Sequence, residues 1–330
     1  MDRRNFITGS FLPPADTEQV VSTGKAEYVQ IRRRAMAAEF VIFVNAGEYR
    51  DAVETSLDAL DEVTRLEKLL SYFDEESEIF RINQWAAGGF LSTDAEVYGL
   101  LRQCDALYRA TDGAFDMTAT PLAKAWGFMR RKGTVPDEAT RCSAMACVGG
   151  DKIDWDDGNR SLRFHVSGME ISLGSIGKGF AIDAAAGVLE AAGMENFLIH
   201  GGNSSVLARG ARRGRTDWLV GLHHPLKPSS RLMEIPVRDR AVGTSGSATQ
   251  FFWHEGKRYG HVLDPRTGFP AQGVLSVSVL AGTATEADAL ATAFYVMGVE
   301  KTRAFCETRP DLGVVFVTDR QEVISMGNLG

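Results

Sequence analysis

Four short segments combine residue types and spacings that can do chemistry. In Gly174-Ser175-Ile176-Gly177-Lys178-Gly179, a glycine-rich turn ahead of an apolar helical pattern offers backbone N–H groups to an anion, and Lys178 adds a mobile positive charge. It is not a Walker A loop, which needs Gly at position 172 and Ser or Thr at 179 where this chain has Ser172 and Gly179. It is not G-x-G-x-x-G either, so an ordinary tight turn fits it as well. In Thr285-Glu286-Ala287-Asp288-Ala289-Leu290-Ala291-Thr292, helical spacing puts Asp288 and Thr292 on one face, a carboxylate and a hydroxyl suited to a hard cation such as Mg²⁺. The same run also reads as capping, with Thr285 as the cap, Asp288 as its partner and Thr292 bonded back to a carbonyl. In the stretch from Tyr259 to Gly268, His261 could act as a base and Asp264 could orient it or a ligand, while 264–268 alone reads as a turn. In Thr111-Asp112-Gly113-Ala114-Phe115-Asp116, the Phe/Asp pair could stack on and hydrogen-bond a planar ring.

The elements that must position these groups follow from periodicity. Residues 27–34 and 39–45 read as two strands joined at Ala35-Met36-Ala37-Ala38. Val53, Leu57, Leu60, Val63, Leu66, Leu69 and Leu70 line one side of a helix that ends near Ser71. A capping box, Thr93 with Glu96, opens a second helix that stops at Thr111-Asp112-Gly113, and Pro121 opens a short one through Trp126. Asp156-Asp157-Gly158-Asn159 is a hairpin turn between strands at 152–155 and 162–166. Residues 169–173 read as a strand feeding the Lys178 loop, and 180–192 as a helix closed by Gly193. Helices are expected at 285–297 and 301–308, with final strands at 313–317 and 322–325.

The chain has 330 residues, 36 basic against 43 acidic side chains and 44% hydrophobic content, so a large core fits and a broad nucleic-acid or anionic-membrane surface does not. Cys104, Cys142, Cys147 and Cys306 form no C-x-x-C pair and read as ordinary buried thiols. The apolar runs are strand-sized, far below the roughly 20 residues of a membrane-spanning helix. Met1-Asp2-Arg3-Arg4-Asn5-Phe6-Ile7 looks like a twin-arginine export start, but Pro13-Pro14 ends its apolar region early. A cytoplasmic protein with a vestigial motif is the expectation, and export by the twin-arginine route the alternative. Residues 1–24 read as a flexible arm and 25–330 as one α+β domain.

In this order, the segments resemble the ApbE family, the FAD:protein FMN transferases. The likeness rests on Ala35-Met36-Ala37; Leu66-Glu67-Lys68-Leu69-Leu70-Ser71 through Ser77-Glu78-Ile79 to Asn83; Thr111 to Asp116 with Pro121-Leu122; and Ser172 to Gly179. It continues through Gly201-Gly202-Asn203, Thr244-Ser245-Gly246, His261 to Gly268 and Ala287 to Thr292. The resemblance implies a single T-fold-like domain with mixed or antiparallel sheets and flanking helices. It also implies Mg²⁺-dependent transfer of FMN from FAD to a threonine or serine of a client flavoprotein, with AMP released. Carried over residue by residue, Asp288, Thr292 and the backbone oxygen of Ser175 would hold the metal. Met36, Phe73, Ala114, Phe115, Asp116, Ser172, Lys178 and Leu263 would line the FAD site, and His261 would be the base. The family usually has Asp at Ser172, Asp at Asn203 and often Tyr at Phe73. Hydrolysis of FAD to FMN and AMP, or FAD binding without catalysis, would use the same site. Ser245-Gly246-Ser247-Ala248-Thr249 faintly resembles an FMN acceptor sequence ending at Thr249.

Overall fold

In the computed structural model, which describes residues 19–21, 27–130, 132–247 and 250–330, the β-rich start forms two antiparallel strands, Tyr28–Ala35 and Ala38–Asn45. Met36 and Ala37 join them, both at left-handed φ (50° and 57°), the conformation of a two-residue hairpin turn. Neither is glycine, so the turn is strained. Glu67, on the helix Ala52–Leu70, accepts the Met36 N–H at 2.6 Å and holds it in place.

This hairpin lies toward one edge of a nine-stranded sheet whose neighbours all pair antiparallel. Its order is Gln19–Val21, Tyr28–Ala35, Ala38–Asn45, Phe197–Gly201, Ser205–Arg209, Arg240–Gly246, Val274–Ala281, Gly313–Thr318 and Val323–Gly327. Gln19–Val21 falls within the segment expected as an arm; the rest of that arm, with Arg3-Arg4, lies outside the described residues, as does Thr249.

Period-two alternation gives the sheet two apolar faces. One carries Leu198, Ala208, Val242, Leu280 and Val315, covered by Trp218, Val220, Leu222, Ile235 and Val237 of the hairpin Trp218–His224 and Lys227–Val237. The other packs on three helices, Ala52–Leu70, Gly177–Ala191 and Ala284–Glu307, and contains most of the core. Two glycines set how closely these layers approach. A Cβ on Gly179 would lie 2.1 Å from the Ala284 carbonyl oxygen, and one on Gly243 would lie 2.3 Å from the Ala287 carbonyl carbon. The Ala284–Glu307 helix is therefore pressed against both the neighbouring helix and the Arg240–Gly246 strand.

Several expectations change. No strand forms at 169–173: Met169, Ile171 and Leu173 are buried in alternation, but the Asn83 amide, not a strand, pairs with the Ile171 N–H (2.8 Å) and C=O (3.0 Å). The helix expected from 180 begins at Gly177. The capping box at Thr93 is absent, because Asp94 accepts from the Glu96 and Val97 N–H groups while the Thr93 hydroxyl donates to Glu78. The two C-terminal helices run together as Ala284–Glu307 across Gly298, which has φ 74°. Of the cysteines only Cys104 is buried. Among the described residues no helix is long and apolar enough to cross a membrane.

Gly179→Ala and Gly243→Ala are each expected to lower unfolding stability by about 2 kcal/mol or more, because backbone must move. Gly187→Ala, with open space around its Cβ on the same Gly177–Ala191 helix, is expected to raise it by roughly 0.5–1 kcal/mol. Urea unfolding of the three variants checks the contrast.

Candidate active site

Asp288 is 7% exposed, one turn into the Ala284–Glu307 helix, and its carboxylate is held from two other elements. Oδ2 accepts the Gly179 N–H at 2.8 Å, from the first turn of the neighbouring helix. The Ser205 hydroxyl, on the Ser205–Arg209 strand, bridges Oδ1 at 2.7 Å and Oδ2 at 2.9 Å. Burial pushes the carboxyl pKa up to about 6, against the lowering pull of the Lys178 charge and these hydrogen bonds. Asp288 is thus not the capping partner of Thr285. Thr283 caps this helix by accepting from the Glu286 N–H, and Thr285 donates to Asp183. Asp183 also accepts the Ala284 and Thr285 N–H groups, both at 2.8 Å, which fixes the helix start against the Gly177–Ala191 helix.

Thr292, one turn after Asp288, hydrogen-bonds Ser245 at 2.9 Å and approaches the Asp288 carbonyl at 3.5 Å. The two oxygen side chains proposed for a cation therefore share a helix face, and each has a strand-borne serine partner. The Asp288 carboxylate and the Thr292 hydroxyl are hard-oxygen donors, the chemistry that Mg²⁺ takes. Among the described residues no three His, Cys, Asp or Glu side chains come together as a metal cage. This set holds one carboxylate, which leaves the charge of a divalent ion to be balanced by an anionic ligand.

His261 follows directly on the strand Lys257–Gly260. Its Nδ1 is 3.1 Å from the Gln250 carbonyl, which also accepts the His261 backbone N–H. A carbonyl can only accept, so Nδ1 carries the proton and Nε2 keeps its lone pair. Desolvation holds the imidazole pKa below the ordinary 6.5; the Gln250 carbonyl opposes that, and the Lys178 charge adds to it. Asp264, expected as a possible orienter, is engaged elsewhere: it forms a bidentate pair with Arg266 at 2.8 and 2.9 Å inside the 264–268 turn. Trp126 ties that turn down through Nε1 to the Gly268 carbonyl at 2.9 Å.

The remaining expected residues divide by exposure. Phe73 is 74% exposed, leaning edge-on against Tyr72, so its ring is open to stacking. Met36 is half-buried at the strained hairpin turn. Ala114 and Phe115 are buried; Phe115 is 1% exposed in the main core, so it offers no ring face to a ligand, contrary to the sequence expectation. Asp116 accepts the Thr118 N–H (2.8 Å) and hydroxyl (2.6 Å), and burial pushes its pKa up to about 6. It lines a cavity of about 510 Å³ with Tyr108, Gly113 and Arg266. Ser172 is half-buried, its Oγ 3.4 Å from the Gly174 N–H, and Leu263 is buried against Trp126 and Phe128. Sequence reasoning missed Ser205, Asp183 and Gln250; their partners lie 83, 101 and 11 residues away, so no local spacing marks them.

The ApbE family's sequence model matches residues 36–316. The FAD:protein FMN transferase of Klebsiella pneumoniae (strain 342) is 30% identical over 265 residues, covering 79% of this chain and 81% of that protein. The FAD:protein FMN transferase of Treponema pallidum (strain Nichols) is also 30% identical, over 89% of this chain and 86% of that one. Among solved structures, the ApbE protein from Thermotoga maritima aligns with a TM-score of 0.81 at 30% identity, covering 90% of this chain and 96% of its own. The flavin transferase ApbE from Vibrio cholerae aligns at 0.79 and 25% identity, covering 91% and 96%. A family model spanning residues 36–316 and relatives 30% identical over most of both chains show that the chain belongs to the ApbE family.

Proposed function

We propose that this chain is a transferase that moves FMN from FAD to a threonine or serine hydroxyl of a client flavoprotein, releasing AMP, with Mg²⁺ as its metal. One observation carries the reading beyond the relatives' names. The Lys178 charge is felt by both the buried Asp288 carboxylate and the His261 imidazole, a grouping that supports a cation-binding carboxylate, a mobile positive charge and a neutral base acting together. A displacement at phosphorus that uses a protein hydroxyl needs those three things together.

Asp288 and Thr292, with the backbone oxygen of Ser175, would hold the cation. Bound there, Mg²⁺ would offset charge on the pyrophosphate and favour departure of AMP. Ser205 and the Gly179 N–H keep Asp288 from turning away. Lys178 adds positive potential where the pyrophosphate would lie, and the dipole of the Gly177–Ala191 helix adds to it at that end. Phe73 would stack on a flavin or adenine ring, Met36, Ser172, Asp116 and Leu263 would line the dinucleotide site, and Ala114 and Phe115 would contribute backbone only. The acceptor oxygen then bonds to the FMN phosphorus as the bond from that phosphorus to the bridging oxygen breaks. AMP keeps the bridging oxygen, and the acceptor's proton passes to His261 Nε2.

Incubating the enzyme with FAD, Mg²⁺ and candidate client flavoproteins should give an acceptor whose mass rises by one FMN; Asp288→Ala should lower the rate at least ~100-fold. Wild-type and Asp288→Ala enzymes that label the same acceptor equally would refute the assignment. His261→Asn should cut transfer about 100-fold or more while FAD binding, followed by flavin fluorescence, stays within a few-fold of wild type.

The pH dependence follows from the two titrating groups. In the metal-free protein Asp288 ionises as pH rises through about 6, and His261 loses its proton to become the active, neutral form as pH rises through a midpoint held below the ordinary 6.5. The value of kcat/KM should therefore rise with pH up to that region and stay flat from pH 6.5 to neutrality. A limb centred above pH 7 would contradict the depressed imidazole.

A further inference from the structure

Ser245 lies near the end of the strand Arg240–Gly246, two residues after Gly243 and so on the same face of the sheet. That face runs close under the Ala284–Glu307 helix, where a Cβ on Gly243 would lie 2.3 Å from the Ala287 carbonyl carbon. The close approach lets two short side chains meet: Ser245 Oγ is 2.9 Å from Thr292 Oγ1. Thr244, pointing to the opposite face, bonds Ser278 at 2.8 Å instead. Ser245 and Thr292 are both half-buried, so the pair keeps some exposed surface.

Each hydroxyl has one proton to donate and two lone pairs. Ser205 donates its proton to Asp288, across both carboxylate oxygens. Thr292 faces two acceptors, the Asp288 carbonyl one turn back at 3.5 Å and Ser245 Oγ at 2.9 Å, and only the second lies within normal hydrogen-bond length. A hydroxyl that offers a lone pair to a cation must direct its proton elsewhere, and Ser245 Oγ is placed to take it. Once Ser245 accepts, its own proton has no side-chain acceptor among the described residues. We infer that Thr292 and Ser245 form an ordered pair: Thr292 donates to Ser245 Oγ and turns a lone pair toward the cation, while Ser245 donates its proton to a phosphate oxygen of the dinucleotide. Ser245 is then a residue of the site that touches the pyrophosphate itself, through a hydrogen bond strengthened by the charge on its acceptor. The inference rests on the part of the transferase reading that puts a cation and FAD at the Asp288 and Thr292 face, and not on what receives the FMN.

The test uses the full-length protein and two binding constants that need no turnover. Mn²⁺ affinity without nucleotide is read by electron paramagnetic resonance, and FAD affinity in EDTA by flavin fluorescence. Ser245→Ala removes both the acceptor for Thr292 and the donor to phosphate, so it should weaken each constant about tenfold while the unfolding midpoint stays at the wild-type value. Ser245→Thr keeps the hydroxyl and should stay within about threefold of wild type in both. Unchanged constants in Ser245→Ala, a loss confined to one of the two, or equal losses in Ser245→Ala and Ser245→Thr would overturn the ordered pair. A wild-type protein that binds FAD and Mn²⁺ but labels no acceptor would overturn the transferase reading and leave the pair standing. One that binds neither would overturn both.

Discussion

The structure turns on the anchoring of one buried carboxylate. Asp288 sits where two helices and the central sheet meet, and it can sit there because residue 179 has no side chain: a Cβ at that position would collide with the Ala284 carbonyl. The same close approach brings the Gly179 N–H within 2.8 Å of Oδ2, so packing geometry and carboxylate orientation are one constraint. Ser205 completes it from the strand beneath. Burial of the charge raises its pKa, which makes the site costly when empty of positive charge and receptive to a cation. Lys178, one residue before Gly179, supplies part of that compensation from within the chain.

The second constraint concerns His261. A histidine near an ammonium group and out of water stays neutral at physiological pH, which suits proton acceptance and not electrostatic stabilisation of an anion. The backbone carbonyl of Gln250, not a carboxylate, sets its tautomer. This choice matters, because an acidic orienter would raise the imidazole pKa and add negative charge beside a pyrophosphate. On an otherwise acidic protein, Lys178 and the Gly177–Ala191 helix start place positive potential beside Asp288.

Much of this was readable from the sequence where the signal is local. The Ala52–Leu70 helix, the hairpin turn at Met36 and the i, i+4 relation of Asp288 with Thr292 depend on neighbours in the chain, and periodicity reports them. The capping reading of Asp288 failed because its true partners come from residues 179 and 205, which local spacing cannot reveal. The segment 169–173 has the burial alternation of a strand but pairs with an asparagine side chain, a distinction invisible in a single sequence. Phe115 shows the reverse limit: residue type suggested a stacking surface, and the three-dimensional core claimed the ring.

The central claim is that phosphorus is transferred from FAD to a protein hydroxyl and not to water. Phosphorus-31 NMR of enzyme, FAD, Mg²⁺ and acceptor separates the two outcomes in one tube. Transfer predicts that the FAD pyrophosphate signals are replaced in equal amounts by an AMP monoester signal and a phosphodiester signal that remains with the acceptor protein. Two monoester signals, from free FMN and AMP, with no protein-bound phosphodiester would contradict it.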